Sequence, residues 1–294
     1  MAEIPASCRS EDLEEFESGR CVLIRLNAVE VVGLEAGRYL QGQLTQDIDQ
    51  IEVGRAGWSF LLEPDGKVVA FVRVVRVEAE RFLLIGDPTS ADAIESRLRR
   101  FMIRVKASVS VVPVWMVSSL ADDDQVDAGI PLPTLSARLQ DSLFESVPSV
   151  EGFQDTPAVL IHNTWTALNG IVTSSDVAAG SNPFEYGVDI LSAAVSFTKG
   201  CYTGQELVAR VDARGGTAPF RILGIESGVR LTTGESLEVD GAVVGTVIRV
   251  GSGSDMVTRG LARIARKIHA GSVIEIVGRE GTARVFDLPS QRSS

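Results

Sequence analysis

Lys199-Gly200-Cys201-Tyr202-Thr203-Gly204-Gln205-Glu206 gathers a lysine, a cysteine and two glycines at what reads as the entrance to a helix. Thr203 and Glu206 have the S/T-x-x-E spacing of a capping box, and Leu207, Val208 and Val211 supply the apolar face of a short helix starting near Gly204. Cys201 is then expected just ahead of a helix N-terminus, where the macrodipole and Lys199 both favour thiolate over thiol. Gly200 and Gly204 permit turns, or a close ligand approach, that a side chain would block. Two readings of Cys201 stand side by side: a reactive thiol in a built loop, and a small buried hydrophobe. Glu206 similarly reads as a cap or as a general base.

The 294 residues suffice for about two domains, with 45% apolar and 23% charged residues, an ordinary globular composition. No run of 18 apolar residues occurs and the first residues lack a basic, apolar leader, so a cytoplasmic protein without a membrane span is expected. The three cysteines, Cys8, Cys21 and Cys201, are far apart and form no CxxC, and the only histidines are His162 and His269. No metal site is expected, and a self-contained four-cysteine iron–sulfur cluster is ruled out by the cysteine count. Net charge is −11, which disfavours nucleic acid and anionic membranes as partners. One local exception is Arg97 to Lys106. It reads either as a solvated helix end or as a cradle for an anionic ligand tail.

Along the chain, Glu11 to Glu17 reads as an acidic helix, and Cys21–Leu26 and Val29–Gly33 as two short strands, with Cys21 in the core. Leu34 to Leu44 reads as a helix. Phe60-Leu61-Leu62, the Pro64-Asp65-Gly66 turn and Val68–Val77 make a hairpin. Phe82–Ile85 is a further strand, Ala91–Phe101 a helix and Ala107–Val112 a strand. Asp122-Asp123-Asp124 to Pro133 reads as a surface loop and Leu135–Phe144 as weakly helical. Strands joined by hairpins and interrupted irregularly by helices point to an antiparallel α+β fold. After Gly215-Gly216 come Phe220–Ile225, Ser236–Val239, Val243–Val250, Gly260–Ile268, Ser272–Val277 and Thr282–Phe286, short strands with glycine turns that read as a small β-barrel.

The stretch from Lys199 to Glu206 resembles the signature of the YgfZ family, folate-binding relatives of the glycine-cleavage T-protein (aminomethyltransferase) that are implicated in iron–sulfur cluster assembly or repair. Gly37 to Ile48, Pro183 to Gly187 and Ala194 to Phe197 are similar to further family segments, so the likeness runs from about residue 22 to 268. It implies a two-lobed, T-protein-like folate-binding body of antiparallel sheets and helices over residues 1–215, and a C-terminal β-barrel over 216–294. It also implies tetrahydrofolate or another reduced folate as cofactor and iron–sulfur client proteins as partners. Cys201 and Lys199 would be the working residues, with Gly200, Tyr202, Gly204, Gln205 and Glu206 shaping the loop and Glu185, Asp189 and Arg210 facing the folate. T-proteins carry a Gly-Gly-x-x-Asp-Asp segment after the hairpin. Here Gly66-Lys67-Val68-Val69-Ala70-Phe71 puts alanine and phenylalanine in the places of the two aspartates, which removes the acid–base group that aminomethyl transfer needs. Leu168 or a neighbour replaces a pterin-reading glutamate. The leading expectation is a folate-binding accessory factor acting on iron–sulfur proteins through Cys201. The alternatives are a tetrahydrofolate-dependent aminomethyl- or methyltransferase, and a folate sensor with a structural cysteine.

Overall fold

The computed structural model describes residues 8–120, 129–150, 157–252 and 257–288. Its centre is strand β1 (Val22–Val32), which runs uninterrupted where the sequence suggests two short strands. The reason is pairing: β1 is matched residue by residue to β5 (Ser108–Leu120), from Val22 opposite Ser118 to Val32 opposite Ser108. The expected hairpin is present as β2 (Arg55–Leu62) and β3 (Val68–Glu78), followed by β4 (Arg81–Ile85). With β6 (Ile130–Leu132) and β7 (Leu139–Phe144) these form a seven-stranded antiparallel sheet in the order β2-β3-β4-β1-β5-β7-β6.

Two expectations fail in this region. Leu135–Phe144 is not helical: Leu139, Asp141 and Leu143 alternate inward with a period of two and pair with β5, the pattern of a strand buried on one face. The acidic loop is interrupted by β6, which pairs with β7, while Asp122-Asp123-Asp124 lie outside the described residues.

Helices cover both faces of the sheet. On one, α2 (Ala36–Gln41) and α3 (Ala91–Phe101) bury Tyr39, Leu40, Ile94 and Leu98 against Val29, Val31, Val72 and Val74. On the other, α1 (Ser10–Glu17) and α4 (Ala158–Leu168) bury Phe16, Ile161 and Trp165 against Ile24, Leu26, Val75 and Met116. Phe16 meets Trp165 edge to face, with ring centroids 5.6 Å apart. Helix α4 has no counterpart in the sequence reading, because His162, Thr164 and Thr166 are buried alongside its apolar residues and blur the helical period. Helix α2 is shorter than the expected Leu34–Leu44. Beyond Gly42 the chain leaves the helix and Thr45 bonds through its backbone N–H to the Phe60 carbonyl at 3.1 Å.

Strands β8 (Phe220–Ser227), β9 (Ser236–Val239), β10 (Ala242–Ser252), β11 (Thr258–Ala265), β12 (Val273–Ile276) and β13 (Thr282–Phe286) close into a barrel. Its interior is filled by Leu223, Ile225, Leu237, Val247, Ile264 and Val285. The barrel is fastened to the sheet-and-helix body by two arginines. Arg249 donates to Thr166 Oγ1 at 2.7 Å, to the Ile171 carbonyl at 2.8 Å and to Asp176 at 2.8 Å. Arg263 forks onto both oxygens of Glu185, at 2.6 and 3.0 Å. Burial pushes the Asp176 carboxyl up, against the pull of Arg249. Removing the guanidinium therefore leaves a buried carboxyl without its counter-charge, held only by the N–H and hydroxyl of Thr173. Arg249→Met is expected to cost about 3–5 kcal/mol in denaturant titration, and adding Asp176→Asn is expected to recover part of that loss. A cost below about 1 kcal/mol would mean the pair does not hold the barrel in place.

Candidate functional site

The signature loop is built on a second chain segment about 150 residues earlier. Segment 41–46 lies over β2: the Phe60 N–H donates to Thr45 Oγ1 at 2.9 Å, and the Gln41 side chain bridges Asp47 and the Ile48 N–H at 2.8 Å each. Onto this segment docks the chain that leaves α5 (Val188–Ala194). Thr45 Oγ1 donates to the Ala194 carbonyl at 2.7 Å, Gln46 Nε2 to the Ala193 carbonyl at 2.7 Å, and the Ser196 N–H to the Thr45 carbonyl at 3.0 Å. Further on, the Thr203 N–H donates to the Gly42 carbonyl at 3.0 Å.

Between these attachments Lys199 points inward. Its Nζ donates to the carbonyls of Gln41, Leu44 and Gln46 at 2.7, 2.9 and 2.8 Å, so all three ammonium N–H groups are used by one loop. Its ammonium also lies 5.3 Å from the centroid of the buried Tyr202 ring. Burial pushes the amine down to about 8, against the pull of Asp47 and Asp49, and the Tyr202 phenol up to about 12. Lys199 and Tyr202 thus anchor the loop while Gly200 and Cys201 between them are exposed. The sequence reading paired Lys199 with Cys201. The structure instead spends the donors of Lys199 on carbonyls, because segment 41–46 leaves three of them unpaired at one point.

The capping box does not form. Helix α6 (Gln205–Asp212) has Gly204 at its N-cap and no side-chain cap; Thr203 Oγ1 is 3.3 Å from the Gly42 carbonyl, and Glu206 is exposed. Gly204 is held in the left-handed region, φ +86°, where a Cβ would lie 2.8 Å from the Glu63 carbonyl oxygen. Gly66 at the hairpin tip, φ +80°, touches the same place: a Cβ there would come within 2.5 Å of Leu207. The two glycines let the β2–β3 hairpin close against the start of α6.

The remaining expected residues scatter. Glu185 is buried with both oxygens held by Arg263 of β11, so it is an ion-pair partner of the barrel and not a free carboxylate. Asp189 is exposed on the first turn of α5, and Gln205 and Arg210 belong to α6, with Arg210 exposed. Arg97 is buried, donating twice to the Leu62 carbonyl and once to Gln43, with its guanidinium 4.0 Å from the Phe101 centroid. Arg99 and Arg100 pair with Glu95 and Glu63. This stretch holds the hairpin and α3 together. Ala70 is buried beneath α2 and α3, and Phe71 stacks on Trp58 with centroids 4.3 Å apart. Leu168 packs under the backbone of Gly251, tying α4 to β10.

Several cavities open on this architecture. One of about 50 Å³, beside Arg73 and His162 on the sheet face, has room for a few waters. Another is a cleft of about 990 Å³ bounded by α5, the residues 195–198 that lead into the signature loop, the end of α6 and the barrel. Phe184, Leu191, Val195 and Phe197 form its apolar wall, and Asp212, Asp287, Arg221 and Arg266 supply charge. Sequence reasoning passed over these four charged residues. They come from four separate places, the end of α6, β8 and the residues just beyond β11 and β13, and no local motif marks them. Among the described residues no three His, Cys, Asp or Glu side chains come together as metal ligands. No helix of the described residues is long and apolar enough to cross a membrane.

No family model matches the chain. Among curated proteins it is 27% identical over 213 residues to an uncharacterized protein of Haemophilus influenzae, a match covering 66% of this chain and 68% of the relative. It is 26% identical to the mitochondrial iron-sulfur cluster assembly factor IBA57 homolog of Pyricularia oryzae, over 64% of this chain and 52% of that protein. It is 22% identical to the tRNA-modifying protein YgfZ of Vibrio vulnificus, over 66% of each. The chain is a relative of the YgfZ proteins. It spans between about half and two thirds of the length of these relatives. The fold is that of the glycine cleavage system aminomethyltransferase T of Bartonella henselae, with a TM-score of 0.74 at 14% identity over 98% of this chain and 91% of that one. The resemblance to YgfZ and the T-protein-like α+β fold with a barrel both hold.

The clasp has a pH signature. Lys199→Met orphans one buried and two half-buried carbonyls and is expected to cost about 1–3 kcal/mol at neutral pH. The folded-state amine titrates near 8 and the unfolded one near 10.5, so between these values the unfolded chain binds more protons. Wild-type stability relative to Lys199→Met should therefore be flat below pH 8 and rise from 8 to 10.5, as read from melting temperatures across that range. A gap that narrows over this interval would refute the buried clasp.

Proposed function

We propose that this protein is a folate-binding accessory factor for iron–sulfur protein assembly or repair, with Cys201 as the residue that meets the client. The observation that carries the reading is the clasp itself. Two segments that resemble the YgfZ family, 41–46 and 194–203, are hydrogen-bonded into one unit, and that unit holds Gly200-Cys201 out in solvent. Such a loop positions a thiol without burying it. A neighbouring relative is named for iron-sulfur cluster assembly, which supports the same class of role.

A folate fits the cleft by chemistry. Its volume lies in the range of small-molecule sites, its wall is apolar and partly aromatic, and it carries two carboxylates able to accept from a pterin's amino and ring N–H groups. Phe184, Leu191, Val195 and Phe197 would pack on the ring, with Asp212 or Asp287 at its donor edge. Bound there, a reduced folate would supply one-carbon or reducing chemistry next to the signature loop. Glu185 and Asp189, the carboxylates expected from sequence, are respectively engaged by Arg263 and outside the cleft wall.

The T-protein-like fold favours one rival, a tetrahydrofolate-dependent aminomethyl- or methyltransferase. Against it stand Ala70 and Phe71, which leave the aligned aspartate places without an acid or base. Assaying purified protein for tetrahydrofolate-dependent one-carbon transfer separates the two readings, since turnover is expected only from the rival.

Thiol labelling should follow exposure. Cys201 is expected to react with iodoacetamide well before Cys21, which is buried, and before Cys8, whose thiol burial pushes up to about 11. In cells lacking their own member of the family, wild type should restore the activity of an iron–sulfur enzyme and Cys201→Ser should not, at equal protein level and melting temperature. Full restoration by Cys201→Ser would remove the cysteine from the mechanism.

A further inference from the structure

Packing uses only part of the basic stretch from Arg97 to Lys106. Arg97, Arg99 and Arg100 are engaged by Leu62, Glu95 and Glu63. Arg104 and Lys106 are exposed, and their side chains make no ion pair or hydrogen bond among the described residues. Met102 and Val105 pack against the core under α3, which turns Ile103 and Arg104 outward and leaves Ile103 76% exposed. Leu34, 69% exposed, belongs to the same end of the sheet. Its two neighbours are fastened there: the Glu35 N–H donates to the Lys106 carbonyl at 3.2 Å, Glu35 Oε2 accepts from the Lys106 N–H at 2.8 Å, and a Cβ on Gly33 would lie 2.6 Å from that carbonyl. Glu80 bounds the patch at the β3–β4 turn, where its carbonyl accepts from the Gly33 N–H at 2.9 Å. Arg104 also holds a left-handed backbone, φ +56°, a conformation that glycine would adopt more readily. Strain kept at an exposed arginine that bonds to nothing in its own chain points to a use outside that chain.

We propose that Leu34, Ile103, Arg104 and Lys106 form the docking surface for an acidic face of the iron–sulfur client protein. The proposal rests on the accessory-factor reading above and adds to it where the client sits. Helix α2 links the patch to the thiol: Glu35, just before the helix, holds Lys106, and Gly42, just after it, accepts from Thr203, two residues past Cys201. Six helical residues span roughly 10 Å. A standard interface of about 800 Å² on each partner is roughly 30 Å across, so one client can cover both places. At a net charge of −11 the chain at large repels an acidic partner, and a local pair of cations then decides which face it approaches. Nucleic acid fits the patch less well. Two cations neutralise little of a phosphate chain, exposed aliphatic side chains do nothing for it, and Phe101, the aromatic nearest in sequence, is covered by Arg97 and Arg100.

The test extends the complementation assay above, using the full chain with Ile103 replaced by the photo-crosslinker p-benzoylphenylalanine. A crosslinked adduct with the assayed iron–sulfur enzyme is expected, seen by immunoblot of that enzyme. Arg104→Glu combined with Lys106→Glu should lower both the adduct and the restored activity about tenfold, at unchanged protein level. Leu34→Ser combined with Ile103→Ser should lower the activity as well. Arg104→Gly separates docking from folding: its melting temperature should rise as the backbone strain is relieved, while its restored activity falls. Arg230→Glu and Val243→Ser, both exposed on the barrel, should restore activity as the wild type does. If the wild type restores activity and the Arg104 and Lys106 reversals do so equally, the docking surface is refuted while the accessory-factor reading stands. It is equally refuted if the crosslink forms to RNA or to a second copy of this chain in place of the enzyme, or if only the charge reversals, and not the serine substitutions, lower the activity. Failure of the wild type to restore activity would overturn the accessory-factor reading and the docking surface together.

Discussion

One buried ammonium organises this structure. Lys199 reaches across the chain to three carbonyls of segment 41–46, a loop that has left its helix and lies on β2. Each of those carbonyls would otherwise be an unpaired acceptor near the core, and a lysine has the three donors the geometry calls for. The burial that surrounds the ammonium also lowers the amine's pKa to about 8. Thr45, Gln46 and Thr203 add hydrogen bonds on either side of it, which turns a pair of loops into a rigid unit.

The unit matters because of what it leaves outside. With Lys199 and Tyr202 directed inward, the two residues between them are held outward, and Cys201 is presented by a loop that is otherwise fully engaged. The hairpin tip is drawn to the same place by Gly66 and Gly204, whose missing side chains allow the close approach. Signature loop, N-terminal segment and hairpin therefore meet at one point, although they are far apart in sequence.

The barrel supplies what the body does not. In the body, positions 70 and 71 are given over to packing, and Arg73 and Asp141 are held to each other as a buried pair at 2.6 Å. Charged groups converge at the junction with the barrel, where Arg249 and Arg263 fasten the two parts and Arg221 and Arg266 line the cleft beside them. Arginines on neighbouring strands thus divide between holding the architecture and facing the cavity.

Much of the fold was legible in the residues alone. The Pro64-Asp65-Gly66 turn between apolar runs specified the hairpin, and the short strands with glycine turns after Gly216 specified the barrel, because turn chemistry and alternation are local properties. The signature around Cys201 was likewise readable as a built loop. What local pattern could not decide was partnership. Thr203 and Glu206 have the spacing of a capping box, yet Thr203 bonds to Gly42 and its neighbour Lys199 to carbonyls 153 to 158 residues away, bonds that only folding brings within reach. Glu185 looked like a free carboxylate until the barrel placed Arg263 against it, and Leu135–Phe144 looked weakly helical until β5 offered its edge. The sequence alone determined which segments turn, alternate and carry chemistry. The tertiary structure decided which charges stay free, since a side chain's partner depends on long-range contacts that no neighbouring residue encodes.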